Sequence, residues 1–227
     1  MRRGESMQRE KLLLYMLGIG LFGLFVWGFV EIIEEWKENE IKQFDDTAFH
    51  IIHSTRTGNV TEFMSDLTQL GGITWIVLMV IIVAMGFALL KEWKSSLFIL
   101  LTNGLGGAFN WLLKEWFKRD RPALEQIVEQ GGYSFPSGHT MGSTILYGSI
   151  AYVFYRILKN KWAKVGIVFF SIILFLMVGV SRIYLGVHFA SDVIGGITAG
   201  GAWLLFSIFL FNVLEWRKKY NRLVLKG

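Results

Sequence analysis

The chain has 227 residues, of which 53% are hydrophobic and 18% charged, with a mean hydropathy of +0.45; this excludes an ordinary soluble domain and fits a membrane protein. Cysteine is absent, which excludes disulfides, thiol nucleophiles, iron–sulfur clusters and zinc–thiolate sites. The formal charge of +5 does not point to nucleic acid, because the basic residues sit mostly in short loops between apolar runs rather than on one soluble face.

Window hydropathy predicts an all-α membrane protein, a single membrane-embedded domain over 1–227 with six transmembrane helices in a bundle. The spans are expected at 12–31, 72–90, 96–114, 141–158, 163–185 and 189–214. Before the first, Arg2, Arg3, Arg9 and Lys11 resemble the start of a signal peptide. The apolar stretch that follows exceeds a usual signal core and leads into Glu31 and Glu34 without a small-residue cleavage pattern, so it reads as a retained anchor.

Residues 34–70 read as short extracytoplasmic surface helices between the first and second spans. Phe44, Ala48, Ile51 and Ile52, then Val60, Phe63, Met64, Leu67 and Leu70, recur at helical spacing, with Thr57, Gly58 and Asn59 breaking the pieces apart. Such a segment is either a simple amphipathic connector or a lipid-entry element. Further along, Gly196 and Gly200 are four apart, as close helix packing requires. Trp27, Trp36, Trp75, Trp93, Trp111, Trp116, Trp162 and Trp216 fall near predicted span ends, as interfacial anchors do.

Loop charge sets an orientation. The N-terminus, 91–94, 156–164 and 215–227 carry 15 of the 23 Lys and Arg residues but only 4 of the 18 acids. The positive-inside rule makes that face, and both termini, cytoplasmic.

Three polar clusters then lie at extracytoplasmic span ends, within 114–122, 136–139 and 181–192. In the first, Lys114 precedes Arg121 by seven residues, two helical turns, so both project the same way if the third span continues past the bilayer; Pro122 ends that element. Alone, such a pair reads as well as a snorkelling anchor. In the second, Ser137 suits a helix N-cap before Gly138 and His139, and a helix start favours anions such as phosphate; an ordinary cap with an incidental histidine is the other reading. In the third, Ser181 and Arg182 end the fifth span, and His188 and Asp192 stand four apart at the start of the sixth. On a helix that spacing lets the carboxylate hold one imidazole nitrogen and leave the other free. The same pair could serve as metal ligands, but His50 and His53 lie in no motif with acids, and Lys114, Arg121 and Arg182 would repel a cation. Three fixed cations point to an anionic ligand.

Lys114 with Arg121 and Pro122, then Pro136, Ser137, Gly138 and His139, then Ser181, Arg182, His188 and Asp192 resemble, in order and spacing, the three-part signature of the type 2 phosphatidic acid phosphatase superfamily. The resemblance covers roughly residues 70–214. In size and plan the chain is similar to bacterial six-span lipid phosphatases acting on phosphatidylglycerophosphate or undecaprenyl diphosphate. Carried over, the resemblance makes His188 a nucleophile that forms a phosphohistidine, Asp192 its orienting partner and His139 the acid for the leaving oxygen. It makes Lys114, Arg121, Ser137, Gly138 through its amide, and Arg182 the phosphate-binding groups.

Phosphoryl transfer asks chiefly for in-line positioning and neutralised equatorial charge, which two histidines and oriented cations can supply without a metal or cofactor. The expected partners are a lipid phosphate and the bilayer, with no nucleic acid. The alternative is a membrane transporter or binding protein that uses the cationic pocket without hydrolysis. Phosphatidic acid also fits the site's chemistry, since the motifs address phosphate and not the lipid behind it.

Overall fold

A computed structural model describes residues 2–38, 40–123 and 126–224, with side chains at 13, 15–38, 40–123 and 126–217. Regular structure among them is helical: α1 (Arg2–Lys37), α2 (Ile41–His53), α3 (Gly58–Gln69), α4 (Ile73–Leu89), α5 (Trp93–Phe117), α6 (Gly138–Ile157), α7 (Lys161–Tyr184) and α8 (Ala190–Val224). The expected charges at Arg2, Arg3, Arg9, Lys11, Lys218, Lys219 and Arg222 belong to side chains outside the described set, and Lys226 lies outside the described residues.

The chain's two prolines, Pro122 and Pro136, both lie in the loop between α5 and α6, so no helix interior is interrupted by one. Local chemistry starts the helices. The Thr57 hydroxyl accepts from the Val60 N–H to cap α3, and the Asn160 carboxamide oxygen accepts from the Trp162 N–H at 2.8 Å to cap α7.

This is a multi-pass membrane protein. Four stretches are long and apolar enough to cross a bilayer: Tyr15–Lys37, Trp93–Phe117, Lys161–Tyr184 and Ala190–Arg217. A fifth arises if α3 and α4, bent by 48° at their junction, count as one broken span. The remaining predicted span, at 141–158, falls on α6, which is too rich in Gly, Ser and Thr to pass that test. Its position explains why: α6 packs against α4, α5, α7 and α8, and Met141, Ile145, Leu146, Ser149 and Val153 are buried. A helix enclosed by protein need not be apolar towards lipid. On the outer helices the pattern inverts, with Ile19, Leu24, Ile81, Met85, Phe169 and Phe170 exposed, as surfaces meeting hydrocarbon require.

The expectation for Gly196 and Gly200 holds. A Cβ on Gly196 would lie 2.9 Å from the Ser137 carbonyl oxygen, and one on Gly200 would lie 3.0 Å from that of Met141, so α8 rests backbone to backbone on α6.

Two expectations need correction. Trp93, Trp111, Trp116, Trp162 and Trp216 are exposed as anchors would be, but Trp36 stacks on Phe135 with ring centroids 6.2 Å apart, and the Trp75 indole N–H donates to the Tyr147 hydroxyl at 3.2 Å. In α2 the inward face is also rotated from the one periodicity picks out: Ile41 and Asp45 are buried, whereas Phe44 and Ile51 are exposed. The cause is polar. Asp45 is drawn inward by partners described below, while Ala48 and Ile52 still pack on Ile183, Ala190 and Val193.

Candidate active site

The end of α5 sets the first part of the site. Lys118 adopts a left-handed conformation (φ 49) and stops the helix after Phe117, so the expectation that Lys114 and Arg121 project from one continuous helix is corrected. They converge through carbonyls instead. The Lys114 ammonium donates to the Tyr133 carbonyl oxygen at 2.5 Å and to that of Ser134 at 3.3 Å. Arg121 donates to the carbonyl oxygens of Gly132 (2.9 Å), Gly131 (3.0 Å) and Val187 (2.8 Å). Gly132 has a φ of 74, a conformation glycine adopts without a Cβ penalty, and this turns the segment back on Arg121.

His188 lies between α7 and α8, not on α8, so the expected common helix face is also corrected. The contact is made nonetheless, with His188 Nδ1 3.3 Å from Asp192 Oδ2. The carboxylate sits in the first turn of α8, where Asp192 Oδ2 also accepts the Phe189 N–H at 2.9 Å. His188 Nε2 lies 3.2 Å from Arg121 Nη1. A guanidinium can only donate, so Nε2 accepts and the ring proton resides on Nδ1, facing Asp192. Burial pushes the His188 imidazole down to about 4, outweighing Asp192, which favours the charged form. The ring is therefore neutral at pH 7, and its lone pair is covered by Arg121.

Ser137 caps α6, its hydroxyl oxygen accepting from the Thr140 N–H at 3.4 Å and the Thr140 hydroxyl at 3.0 Å. Its own N–H donates to the Asp192 carbonyl oxygen at 3.0 Å, which ties the starts of α6 and α8 together. Gly138 has a packing reason beyond open access: a Cβ there would meet Asn110 Oδ1 at 3.0 Å and Lys114 Cε at 3.6 Å. His139 is half-buried and feels the charges of Arg182, Arg121 and Lys114. Arg182 is 1% exposed. Its Nη1 donates to the Thr68 hydroxyl at 2.7 Å and its Nη2 to the Gln130 side-chain oxygen, while its buried Nε has no partner among the described residues. An orphaned charged donor close enough for its charge to act on His188 invites an anion. Among the described residues, no three His, Cys, Asp or Glu side chains gather in a way that could hold a metal ion.

Residues 95–216 match the PAP2 superfamily. The chain belongs to that superfamily. By class it is an enzyme, a lipid phosphatase. It is 33% identical over 164 residues to phosphatidylglycerophosphatase B of Bacillus subtilis (strain 168), covering 71% of this chain and 80% of the relative. The crystal structure of a transmembrane PAP2 type phosphatidylglycerolphosphate phosphatase from Bacillus subtilis superposes with a TM-score of 0.76 at 30% identity, over 88% of this chain and 96% of that one. Similarity also extends to the putative undecaprenyl-diphosphatase YbjG of Escherichia coli (strain K12), 29% identical over 50% of this chain and 55% of the relative.

Around the three PAP2 motifs lies a second tier of polar residues absent from the sequence reading. The Ser134 hydroxyl, fully buried, donates to Asp192 Oδ2. Arg119, 7% exposed, donates from Nη1 to Asp192 Oδ1 at 2.8 Å and from Nη2 to Asp45 Oδ2 at 2.8 Å. Its guanidinium lies 4.4 Å from the Phe189 ring centroid and 5.4 Å from that of Trp36. Asp45 in turn accepts from the Ser191 N–H at 2.8 Å and hydroxyl at 2.6 Å. A signal for Asp45 does exist in the sequence: it is a lone acid on the 41, 45, 48, 52 stripe of α2, otherwise Ile, Ala and Ile. Arg119 carries no such signal, because its charged neighbours Lys118, Asp120 and Arg121 mask it.

Proposed function

We propose that this chain is a metal-independent lipid phosphate phosphatase that works through a phosphohistidine on His188, on the extracytoplasmic face of a six-span bundle formed by α1 and α4 to α8, the whole chain forming one membrane-embedded unit. The observation that carries this reading is the neutral, buried His188, with Nδ1 held by Asp192 and Nε2 turned towards Arg121.

An arriving phosphoryl group takes over the donors of Arg121 and meets the orphaned Nε of Arg182. Lys114, the Ser137 hydroxyl and the Gly138 N–H, which as a first-turn amide has no helical acceptor, complete the cradle. His188 Nε2 attacks phosphorus in line; the bond to the leaving oxygen breaks, and His139 gives that oxygen its proton. Water then attacks the phosphohistidine and returns a proton to His139, and inorganic phosphate leaves. Asp192 stabilises the positive charge that develops on the His188 ring. The cations supply the equatorial charge compensation that magnesium supplies in other phosphoryl transfers.

The relatives' names favour phosphatidylglycerophosphate or undecaprenyl diphosphate as substrate, and phosphatidic acid satisfies the same phosphate chemistry. Loop charge supports cytoplasmic termini and an extracytoplasmic site. The test is phosphate release from each of these lipids in detergent with excess chelator. Wild-type turnover that is abolished in His188→Ala supports the reading. Full activity in that variant removes the nucleophile, and substrate flux across proteoliposomes without turnover would favour a transporter.

A further inference from the structure

We infer that Asp45 and Arg119 are positioning residues for the nucleophile, so that α2 acts as a remote part of the active site through a chain running Asp45, Arg119, Asp192, His188. The inference rests on the reading of His188 and Asp192 given under Proposed function.

The geometry is that of a shared cation. Arg119 divides its two terminal nitrogens between two carboxylates, Asp192 on α8 and Asp45 on α2, each at 2.8 Å. All three side chains are shielded from solvent, with Asp45 3% and Asp192 0% exposed. Two buried carboxylates and one guanidinium leave one negative charge, which the ring of His188 meets when it becomes cationic during attack. Burial makes such charges interact strongly and makes each depend on its partners.

Asp45 acts in two ways. Electrically, it holds half of Arg119, so the guanidinium does not spend its whole charge on Asp192 and weaken that carboxylate as the partner of the His188 ring. Mechanically, it accepts both the N–H and the hydroxyl of Ser191, capping the first turn of α8 from another element and fixing the residue next to Asp192. The Trp36 ring of α1 and the Phe189 ring both lie against the Arg119 guanidinium, 5.4 and 4.4 Å from it, and this apolar cover helps keep water from replacing either carboxylate. Removing the outer hydrogen-bond partners of metal-bound histidines commonly changes affinity or activity by about 10- to 100-fold, and a partner of the same kind behind His188 is expected to act on that scale.

Asp45→Asn keeps the side chain's shape but removes the charge and one of the two acceptor oxygens. It is expected to lower kcat by about 10- to 100-fold with little change in KM, because Asp45 touches no substrate, and to slow acid-quenched phosphoenzyme formation by the same factor. Asp46→Asn, the same charge loss on an exposed neighbour, should leave kcat unchanged. In an Asp192→Asn background, Asp45→Asn should cost little more, since both act through one route. If Asp45→Asn does not yield folded protein in detergent, Ser191→Ala removes the hydroxyl's contacts with Asp45 and with Arg119 Nη1, leaves the Ser191 N–H on Asp45, and should give a smaller loss in kcat, again at constant KM. A wild-type kcat in Asp45→Asn, or a loss of equal size with and without Asp192, would overturn the inference. Wild-type turnover and its loss in His188→Ala are measured alongside, so failure of the underlying phosphatase reading is seen separately.

Discussion

Arg182 offers a direct measurement of what the shape of a cation contributes beyond its charge. Its Nη1 is anchored on Thr68 at 2.7 Å and its Nη2 on Gln130, which holds the fork so that the buried Nε, without a partner among the described residues, is free to meet a phosphoryl oxygen. Arg182→Lys keeps a positive charge but replaces three nitrogens with one. A lysine that reaches Thr68 or Gln130 has no second nitrogen on a rigid fork to aim at phosphate. A charge-assisted hydrogen bond contributes about 1.5–3 kcal/mol, and tenfold in rate corresponds to about 1.36 kcal/mol. The expected loss in kcat/KM for Arg182→Lys is therefore about 10- to 100-fold, whereas Arg182→Ala, which also removes the charge, should lose about 100- to 1,000-fold, as removal of a preorganised transition-state donor does. The assay is phosphate release from a lipid phosphate in detergent across a range of substrate concentrations. Wild-type kcat/KM in Arg182→Lys would refute the geometric argument, because charge alone would then suffice.

Gly196→Ala tests the α6–α8 contact. Its Cβ would stand 2.9 Å from a backbone oxygen that cannot rotate away, at an overpacking cost of about 1–3 kcal/mol, and the shift would part Ser137 from Asp192; lower thermal stability in detergent and lower kcat are expected. Gly107→Ala, with nothing within 4 Å of the added Cβ, should keep both, and equal behaviour of the two variants would exclude the packing argument. The pH profile of kcat should be bell-shaped. His188 must be neutral to attack, and with its pKa pushed down to about 4 it stays neutral as pH falls through the ordinary imidazole value near 6.5, so the acid limb that belongs to it lies near pH 4. The alkaline limb reports loss of the His139 proton from the complex with substrate, where the phosphate charge offsets the charges of Arg182, Arg121 and Lys114 around that ring. A kcat flat from about pH 3 to pH 9 would contradict both assignments.

The phosphate motifs were legible because each is local. Ser137 caps the helix that follows it, Asp192 accepts an N–H three residues away, and His188 lies within reach of Asp192 four positions on. Apolar runs in α1, α4, α5, α7 and α8 likewise declare themselves, since a helix facing lipid must be apolar along its own length. α6 declares itself less plainly, because a helix surrounded by protein is released from that requirement.

Composition, the long apolar runs, and the order and spacing of the three motifs were therefore determined by the chain read along its length. Tertiary structure alone decided which face α2 turns inward, where Arg119 points, and that Arg121 lies against His188 Nε2. Arg119 is 74 residues from Asp45 and 73 from Asp192. A buried charge finds its place by the partners available to it, and periodicity along a helix records apolar burial but not a charge paired across three elements.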